Sequence, residues 1–466
     1  MKNLHSFLTV LLLIVSTSSF AQTQWDIDGT LLNEYDLVTG LQIPWDIQWG
    51  PDDMLWSTTR PGDVVRINPQ TGSYEVILEL DVFGGNGSEP GLLGMAFHPD
   101  WENSQKVYLV YCSGSNWSNS NEKLSVFDWN GTELVNEEVL LTVDAGGIHN
   151  GSRLLVLPDN TLLMTTGDIG DGGDSSQDLD HLNGKTLRLN LDGSIPADNP
   201  FGPNSYVYSW GHRNSQGLCL GPDGTIYSSE HGQSNWDEFN IIEPTRNYGW
   251  PEVEGPCNGS ENAFCEEYNV MEPLRAWAPC VAVNGIEHYN HPAIPAWNNC
   301  ILMSVLGGLG GQHERLSILH LSDDGLSVES EDQYFSEFNQ RIRDVAVNPY
   351  TGAIYLAFNG PSYPGYGPNI IKEFRPDTND SVDDLNDGEV DVLVYPVPAT
   401  DVVNVEISEE LIGGEYTVIN YRGKTVIDGR MLNSKEVLNV SSFSKGSYYI
   451  LLQNNGISIT RTFTIQ

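Results

Sequence analysis

Three short segments of the chain carry residue types suited to proton transfer and anion binding. His149 stands at the entry to an apolar run, and a carboxylate pair at 237–238 follows a Ser-Glu-His-Gly sequence. Between them, Gly-His-Arg-Asn-Ser-Gln-Gly-Leu over 211–218 sets Arg213 beside Asn214. Basic residues are scarce, with 22 Lys and Arg against 63 Asp and Glu. A histidine and an arginine at strand ends of so acidic a chain predict a pocket for an anionic ligand.

The amino terminus and the net charge limit the classes of partner. Lys2, the apolar run of residues 7–15 and the Ser19-Phe20-Ala21 sequence predict a signal peptide over 1–21, and therefore an exported protein. The apolar run is too short to cross a bilayer, and we expect no transmembrane segment elsewhere. A formal charge of −41 argues against nucleic acid or an anionic membrane surface as the partner.

The chain has six cysteines, and in an exported protein they can form disulfides. Cys257 and Cys265 bracket a short loop, whereas Cys280 and Cys300 bracket a longer one. Both pairs are candidate disulfides, although spacing alone does not fix the pairing. The other two cysteines lie in apolar runs, and we expect them to be buried thiols: Cys112 and Cys219.

A proline-containing turn followed by a short apolar strand recurs along most of the chain. The copies begin at Pro51, near Pro99, and at Pro158, Pro222, Pro295 and Pro349. Their spacing of roughly 50–60 residues and the near absence of helical periodicity predict a six-bladed β-propeller over 25–375. A β-sandwich with coincidental Pro-Asp turns is the alternative, since such turns are common in all-β chains.

The composition changes after the last copy of this repeat. Residues 376–391 are acidic and lack aromatic side chains, which is typical of a linker. Alternation of apolar and polar residues then resumes and predicts a small C-terminal β-sandwich over 392–466. That segment holds neither His nor Cys, so we expect no chemistry in it. The expected fold class is therefore all-β throughout.

The propeller segment resembles the soluble pyrroloquinoline quinone (PQQ) dehydrogenases, the glucose and aldose sugar dehydrogenase family. Four motifs in order carry the resemblance: Gly-Leu-Leu-Gly-Met-Ala-Phe-His-Pro-Asp at 91–100, Asn-Gly-Lys-Thr-Leu-Arg-Leu-Asn at 183–190, the sequence at 211–218, and Asn-Tyr-Gly-Trp-Pro at 247–251. The resemblance implies an enzyme that oxidises the anomeric carbon of an aldose to a lactone by hydride transfer to PQQ. It also implies an external electron acceptor.

The resemblance assigns catalytic roles to His149 and Arg213. His149 matches the family's general base, and an imidazole near its natural pKa can accept a proton at neutral pH. Arg213 and Asn214 match the residues at the reactive edge of the quinone, where an arginine offers planar, charge-assisted hydrogen bonds. Without the resemblance, His149 is more typical of a turn histidine satisfied by the backbone than of a catalytic base.

Further residues match cofactor-binding and substrate-binding positions of the family. Arg341 and Arg343 match an Arg-x-Arg pair that binds the cofactor carboxylates, and alternate residues of a strand face the same way. Asp168 matches a substrate contact. Glu89 stands where the glucose enzyme has a substrate-binding glutamine, so the sugar pocket is altered at this position.

Calcium is the cation that the resemblance implies, because its ligands are oxygens. The carbonyls of Gly232 and Gln233 match the pair that holds the ion beside the cofactor, although the family has proline at the second position. A second, structural calcium uses a glutamate ten residues before a tyrosine carbonyl. Glu238 and Tyr248 keep that spacing.

The chain departs from the glucose enzyme near the cofactor and the sugar. The family's cofactor-binding lysine falls at Gly307, which removes one cation, with His313 and Arg315 as nearby candidates to replace it. An aspartate that precedes the base in the glucose enzyme is Ile148 here. These changes keep a non-catalytic propeller that binds a glycan or protein at the cell surface as the alternative function. A calcium-dependent lactonase is less compatible, since no set of inward carboxylates stands out.

The tail resembles the C-terminal sorting domain of type IX secretion substrates in Bacteroidetes. Residues 394–401, with Tyr-Pro-Val-Pro, match its opening, and 446–450 and 461–465 match its last strands. The resemblance implies export and attachment to the cell surface through the type IX secretion machinery. A carbohydrate-binding or adhesive sandwich is the alternative interpretation of this segment.

Overall fold

The structure is a computed structural model of the whole chain. It describes residues 23–85, 87–116, 119–221, 223–308, 313–377, 392–395, 399, 402–420, 425–443, 446–454 and 457–465. The predicted signal peptide and nearly all of the predicted linker lie outside the described residues.

Short antiparallel strands dominate the described residues up to Pro376 and group into six sheets. The strands are β1 (Gln24–Ile27), β2 (Thr30–Leu41), β3 (Pro44–Trp49), β4 (Leu55–Thr59), β5 (Asp63–Ile67), β6 (Tyr74–Glu79), β7 (Leu92–Phe97), β8 (Lys106–Asn116), β9 (Asn119–Trp129), β10 (Leu134–Asp144), β11 (Leu154–Val156), β12 (Thr161–Thr166), β13 (Lys185–Asn190), β14 (Val207–Trp210), β15 (Ser215–Leu220), β16 (Ile226–Glu230), β17 (Asp237–Ile241), β18 (Arg275–Trp277), β19 (Val283–Tyr289), β20 (Cys300–Val305), β21 (Arg315–Leu321), β22 (Val328–Tyr334), β23 (Ile342–Val347), β24 (Ile354–Phe358) and β25 (Asn369–Pro376).

These sheets are the blades of a six-bladed propeller, as predicted. Five blades follow the chain as β3–β6, β7–β10, β11–β14, β15–β18 and β19–β22, and the sixth combines β23–β25 with β2 and β1. The first strand of each blade contacts the first strand of the next, and β23 contacts β3, so the ring closes around a central channel. Because β2 pairs with β25, the start of the chain completes the last blade.

Buried apolar clusters hold neighbouring blades together. Trp56 and Leu109 belong to the cluster between the first two blades, and Trp297 and Phe335 belong to the cluster between the last two. Strands such as β4 are buried at every position because they face a neighbouring blade on each side. Full burial of such a side chain stabilises the fold by about 1.5–3 kcal/mol. The blades therefore form a rigid support for the segments at the channel ends.

The repeated proline turns connect the first and second strands of the blades. Backbone hydrogen bonds close these turns, as between Leu157 N and Thr161 O at 2.8 Å and between Asn348 N and Ala353 O at 2.8 Å. Pro222 itself lies outside the described residues. All copies lie at the end of the channel where the inner strands finish, which we call the lower end. The opposite end, where the inner strands begin, is the upper end.

Of the two predicted disulfides, one is confirmed and the other is wrong. Cys257 and Cys265 form a disulfide beside the one α-helix of the described residues, α1 (Asn262–Tyr268), whereas Cys280 and Cys300 are free thiols. The second pair cannot meet, because Cys280 precedes β19 and Cys300 pairs with Tyr289 at its far end. The seven residues of β19 separate them by about 20 Å. The remaining cysteines are buried thiols, as predicted: Cys112 and Cys219.

Two further sheets at the C terminus pack around one core. The strands are β26 (Val392–Tyr395), β27 (Val402–Ile407), β28 (Glu415–Asn420), β29 (Thr425–Arg430), β30 (Lys435–Asn439), β31 (Gly446–Asn454) and β32 (Ile457–Ile465). The sheet orders are β26-β27-β30 and β29-β28-β31-β32, which is the predicted small sandwich. Single 3₁₀ turns lie at Gly259–Glu261, Pro295–Trp297, Ser336–Phe338 and Glu409–Leu411. Among the described residues, no helix is long and apolar enough to span a membrane.

Candidate active site

The upper end of the channel gathers nearly all the predicted site residues. The segment before β7 carries Glu89, the segment before β11 carries His149, and the segment before β15 carries Arg213 and Asn214. Residues 341–343 lie at the start of β23. Inner strands of a propeller all begin at the same end, so segments distant in sequence meet here.

His149 is held as one half of a histidine–aspartate pair. Its Nδ1 lies 2.7 Å from Asp168 Oδ1, and its Nε2 lies 3.2 Å from Arg213 Nη2. A carboxylate accepts a hydrogen bond from Nδ1–H, and a guanidinium donates to Nε2, so this network assigns the tautomer with its proton on Nδ1 and its lone pair on Nε2. The backbone has φ of 56°, and the His149 N–H donates to Glu89 Oε2 at 3.0 Å. The imidazole is thereby oriented to accept a proton on Nε2.

Asp168 is buried and remains ionised. Burial alone opposes ionisation, but hydrogen bonds from His149 and the Gly170 N–H lower the pKa of this carboxyl below its usual value. Its second oxygen accepts the indole N–H of Trp250 at 2.9 Å. A carboxylate in this position fixes the imidazole and stabilises its protonated form.

A buried lysine that the sequence analysis did not select supports the loop of Asp168. Lys185 is fully buried, and its ammonium group donates to the carbonyls of Ser175, Ser176 and Asn183 at 2.7, 3.1 and 2.8 Å. Burial lowers the pKa of Lys185 to about 7. The lysine ties the segment after Asp168 to the start of β13, which explains why a lysine is buried at the first position of this strand.

Arg213 connects the base to the neighbouring loop. Its Nη1 donates to the carbonyls of His231 and Gly232 at 3.1 and 2.7 Å, and its guanidinium lies 5.2 Å from the ring centre of Trp250. Its backbone N–H donates to Glu230 in a short hydrogen bond. The Nε of Arg213 is buried and has no partner among the described residues.

Asn214 lies beside Arg213 and holds the segment of the base in place. Its side-chain oxygen accepts the Gly151 N–H at 3.0 Å, and its backbone N–H donates to Glu230 at 3.3 Å. Glu230 also pairs with His212, whose Nδ1 is 2.8 Å away. The predicted cofactor residue therefore has a positioning role in the arrangement observed here.

Three arginines crowd the wall opposite His149. Burial and the positive charges of Arg60 and Arg341 lower the pKa of Arg343 far below its usual value. Burial likewise lowers the pKa of Arg341, and it lowers the pKa of Arg60 to about 10. Arginine stays protonated at neutral pH, so these guanidinium groups repel one another in a poorly solvated place.

The cluster has few internal partners. Arg343 donates to Gln216 Oε1 at 2.9 Å, whereas Arg341 Nε is buried with no partner among the described residues. Arg60 is the better paired member, since its three nitrogens donate to the carbonyls of Gly85, Pro364 and Gly365 at 2.9, 2.8 and 3.1 Å. Glu89 and Glu314 are nearby acids, and Glu89 already accepts from His149 and from the hydroxyl of Tyr363. The arrangement leaves a net positive charge directed into the upper end of the channel.

A neutral histidine completes this wall. Burial and the charges of Arg343 and Arg213 depress the pKa of His231 well below its ordinary value. Its Nε2 lies 3.3 Å from Asn284 Nδ2, which donates to it. The ring therefore carries its proton on Nδ1. A neutral imidazole adds a hydrogen-bond donor to the site without adding charge.

The predicted calcium positions are only partly consistent with ion binding as observed. The Gly232 carbonyl accepts from Arg213 at 2.7 Å, and Gln233 is exposed. No group of three or more His, Cys, Asp or Glu side chains among the described residues has metal-binding geometry. A guanidinium thus satisfies the oxygen that the sequence analysis assigned to a metal ion.

The surroundings of Glu238 are more consistent with a bound cation than those of the Gly232 carbonyl. Burial and the negative charge of Glu230 raise the pKa of Glu238 to about 8. Asn240 donates to it at 2.9 Å, yet the Asn240 amide oxygen is buried without a partner among the described residues. A cavity of about 10 Å³, near the size of one bound water, is lined by Glu230, Glu238 and Tyr248. The Tyr248 hydroxyl donates to Ile241 O at 2.6 Å.

The structure shows which residues the sequence analysis missed. Arg60, Gln216, His231 and Trp250 all contact predicted site residues or enter their electrostatic surroundings. The rarity of arginine was the available signal for Arg60. Of the suggested replacements for the missing lysine, Arg315 pairs with Glu331 at 3.0 Å and His313 is exposed.

Comparisons with known proteins agree with this fold. A family model described as glucose / sorbosone dehydrogenase matches residues 41–362, and one described as a secretion system C-terminal sorting domain matches residues 393–466. Quinoprotein glucose dehydrogenase B of Acinetobacter calcoaceticus is 33% identical over 258 residues, which are 49% of this chain and 54% of that protein. Aldose sugar dehydrogenase YliI of Escherichia coli is 27% identical over 76% of this chain and 95% of its own length.

A solved structure agrees as well. The PQQ-bound aldose sugar dehydrogenase of Streptomyces coelicolor superimposes with a TM-score of 0.62 at 30% sequence identity, covering 73% of this chain and 96% of that one. The shared region corresponds in extent to the propeller, and the C-terminal sandwich corresponds to the sorting-domain match. Because the first family model spans well over half of the chain, this protein belongs to the glucose/sorbosone dehydrogenase family and carries a C-terminal sorting domain.

Proposed function

We propose that the protein is a PQQ- and calcium-dependent dehydrogenase that oxidises the anomeric carbon of an aldose sugar to a lactone. One observation carries the proposal: a cluster of buried, incompletely paired arginines faces a histidine–aspartate pair at the upper end of the channel. The relatives named above support the same cofactor and substrate class.

The residues present fit PQQ, a flat quinone with three carboxylates. Arg341 and Arg343 supply cations for those carboxylates, and Arg213 supplies a guanidinium near the base. The unpartnered Nε atoms of Arg213 and Arg341 are donors that an anionic oxygen would satisfy. When bound, PQQ supplies the two-electron acceptor for the hydride of the sugar, and an external acceptor later removes the electrons.

His149 is the general base in this proposal. Its Nε2 lone pair takes the proton of the anomeric hydroxyl, and the ionised Asp168 stabilises the imidazolium that forms. Arg213, which donates to Nε2 in the structure, releases it when a hydroxyl binds and stays close to the developing carbonyl oxygen. Glu89 and Asp168 are the proposed substrate contacts.

We place calcium beside Glu238 and Tyr248, with a second ion beside the carbonyls of Gly232 and Gln233. The Glu238 site is supported by the raised pKa of that carboxyl and the unpartnered oxygen of Asn240. A hard cation offsets the repulsion between buried carboxylates. The Gly232 site requires Arg213 to turn away from that carbonyl.

One observation favours the alternative of a non-catalytic propeller that binds a glycan or protein. Gly307, where the family has a cofactor-binding lysine, has φ of 80°, and a Cβ there would meet the Glu314 carboxylate at 2.8 Å. A buried acid thus occupies the place of a cation and lies within electrostatic reach of Arg341. The change weakens the attraction for a tricarboxylate.

We also propose that the sorting domain directs the protein through the type IX secretion machinery to the cell surface. The match of residues 393–466 to a secretion sorting domain supports this destination. The predicted signal peptide supports export as a first step.

Reconstitution tests the proposal. The purified protein, mixed with PQQ and calcium, should reduce a redox dye when aldoses such as glucose are added, and the sugar should be recovered as lactone or its hydrolysed acid. Omission of PQQ is the control. Saturated PQQ binding without dye reduction by any aldose of a broad panel would support the non-catalytic alternative.

A further inference from the structure

The loop between β24 and β25 presents two exposed tyrosines at the rim of the candidate site. Tyr363 is 60% exposed and Tyr366 is 56% exposed, among the highest values for large apolar or aromatic side chains of the propeller. Large aromatic surfaces in contact with water usually mark a place where something binds. Both rings lie at the upper end, since β24 runs from the lower end to the upper end.

The rim is directly connected to the proposed base. The Tyr363 hydroxyl donates to Glu89 Oε1 at 2.8 Å, and the other oxygen of Glu89 accepts the His149 N–H at 3.0 Å. The Arg341 guanidinium lies 5.8 Å from the centre of the Tyr363 ring. A molecule with one end at His149 therefore passes over Glu89 and reaches the tyrosines.

Hydrogen bonds hold the backbone of this loop, so its two tyrosine rings stay exposed. Arg60, which is 1% exposed, donates to the carbonyls of Pro364 and Gly365 between the two tyrosines. Asn369 donates to the carbonyl of Tyr366 at 3.1 Å. Rings held in place by buried groups lose little conformational entropy when a ligand stacks on them.

We propose that Tyr363 and Tyr366 form an accessory saccharide subsite, so that the preferred substrate is the reducing end of an oligosaccharide rather than a free monosaccharide. The inference rests on the proposed sugar oxidation at His149. A pyranose presents axial C–H groups on its face and hydroxyls at its edge, which suits an aromatic ring beside a carboxylate. The second and third sugar rings stack on the tyrosines while Glu89 accepts from their hydroxyls.

Two measurements test the subsite. The first compares kcat/KM of the PQQ-loaded enzyme for glucose, cellotriose and maltotriose. The wild type should favour a trisaccharide by about 10-fold, equivalent to about 1.4 kcal/mol. Tyr366→Ala should reduce that preference while leaving the glucose value within about twofold, and Tyr363→Ala with Tyr366→Ala should remove the preference. Tyr74→Ala is the matched control, because Tyr74 is 43% exposed on the outer strand β6.

The second measurement is calorimetric binding of the same trisaccharides to the protein without PQQ. Binding that is lost in the double variant supports the subsite even when no sugar is oxidised. Tyr366→Ala alone covers the case in which the double variant fails to fold, and Tyr363→Phe should keep the preference because it keeps the ring. Oxidation of glucose with no dependence on chain length in either assay overturns the subsite and leaves the proposed function intact.

Discussion

The two ends of the central channel have an excess of charged side chains of opposite sign, and this excess charge is compensated in different ways. The upper end has an excess of arginine, whereas the lower end opens into a cavity of about 510 Å³ lined by Asp46, Asp344, Glu287 and Arg153. Arg153 pairs with Asp46 at 3.1 Å and with Asp344 at 3.0 Å. Glu287 has no such pair among the described contacts.

Acidic residues and arginines differ in whether a buried, unpaired charge can be lost through a change in protonation. Burial and the nearby carboxylates raise the pKa of Glu287 to about 8, and burial raises the pKa of Asp344 to about 7. Acids can therefore lose their excess charge by taking up protons. Arginine cannot lose its charge at neutral pH, so the cluster at the upper end needs an external anion. An excess of buried arginine is thus stronger support for a ligand site than an excess of buried acid.

The largest expected effect concerns the base at the upper end. His149→Ala should lower turnover by about 10²–10⁴ with PQQ still bound, because general-base catalysis typically contributes that much. Single-turnover reduction at saturating PQQ measures the effect. Unchanged turnover at saturating PQQ would assign the histidine a structural role and favour the non-catalytic alternative.

A variant of the arginine cluster should have an effect that can be distinguished from that of the His149 variant. Arg341→Met should weaken PQQ binding by about 100-fold, because it removes one charge-assisted partner of a carboxylate. The same change should raise or preserve the melting temperature without PQQ, since it relieves repulsion between buried guanidiniums. Arg66→Met, which alters an arginine paired with Asp52 away from the site, is the control. A destabilised variant with unchanged PQQ affinity would contradict the account.

The contribution of Glu287 in the lower cavity to folding stability should change with pH in the opposite sense to that of a salt-bridged acid. The folded pKa of Glu287 lies above the ordinary value of 4.5, so the folded state holds a proton that the unfolded chain releases. Stability contributed by this group is full below about pH 4.5 and falls until about pH 8. Glu287→Gln should therefore melt several degrees above the wild type at pH 8 and close to it at pH 4.5. Equal differences at both values would show that Glu287 is already ionised at low pH.

The smallest expected effect lies outside the propeller. Removal of residues 392–466 should leave the melting of the propeller unchanged, because the sandwich has its own buried core. In the cell the same truncation should abolish surface attachment. Loss of cooperative propeller melting would show that the two parts fold as one unit.

The propeller was predictable because its signal is local and repeated. Each proline turn lies between the first and second strands of a blade, so its position in sequence fixes its position in the fold. Arg341 and Arg343 lie close enough for their charges to interact, while their role in cofactor binding, which the family resemblance implied, stays a prediction. The predicted disulfide between Cys280 and Cys300 was wrong because closeness in sequence says little about distance when a whole strand lies between two residues.

The contacts between blades were not predictable from the chain alone. Arg60 reaches carbonyls about 300 residues away, and Tyr363 reaches Glu89 across a similar separation. The Gly232 carbonyl was assigned to a metal, yet Arg213 donates to it, because spacing does not reveal a competing donor. Glu314 lies beside Gly307, which is a further contact that sequence spacing does not reveal.

The most direct test of the account is a calorimetric titration of the purified protein with PQQ, with calcium and with excess chelator. We predict binding of one PQQ per chain that requires calcium, is weakened about 100-fold in Arg341→Met and is unchanged in Glu287→Gln. Binding that is tight in chelator, or equally strong in Arg341→Met, would contradict the claim that the arginine cluster and a cation together hold the cofactor.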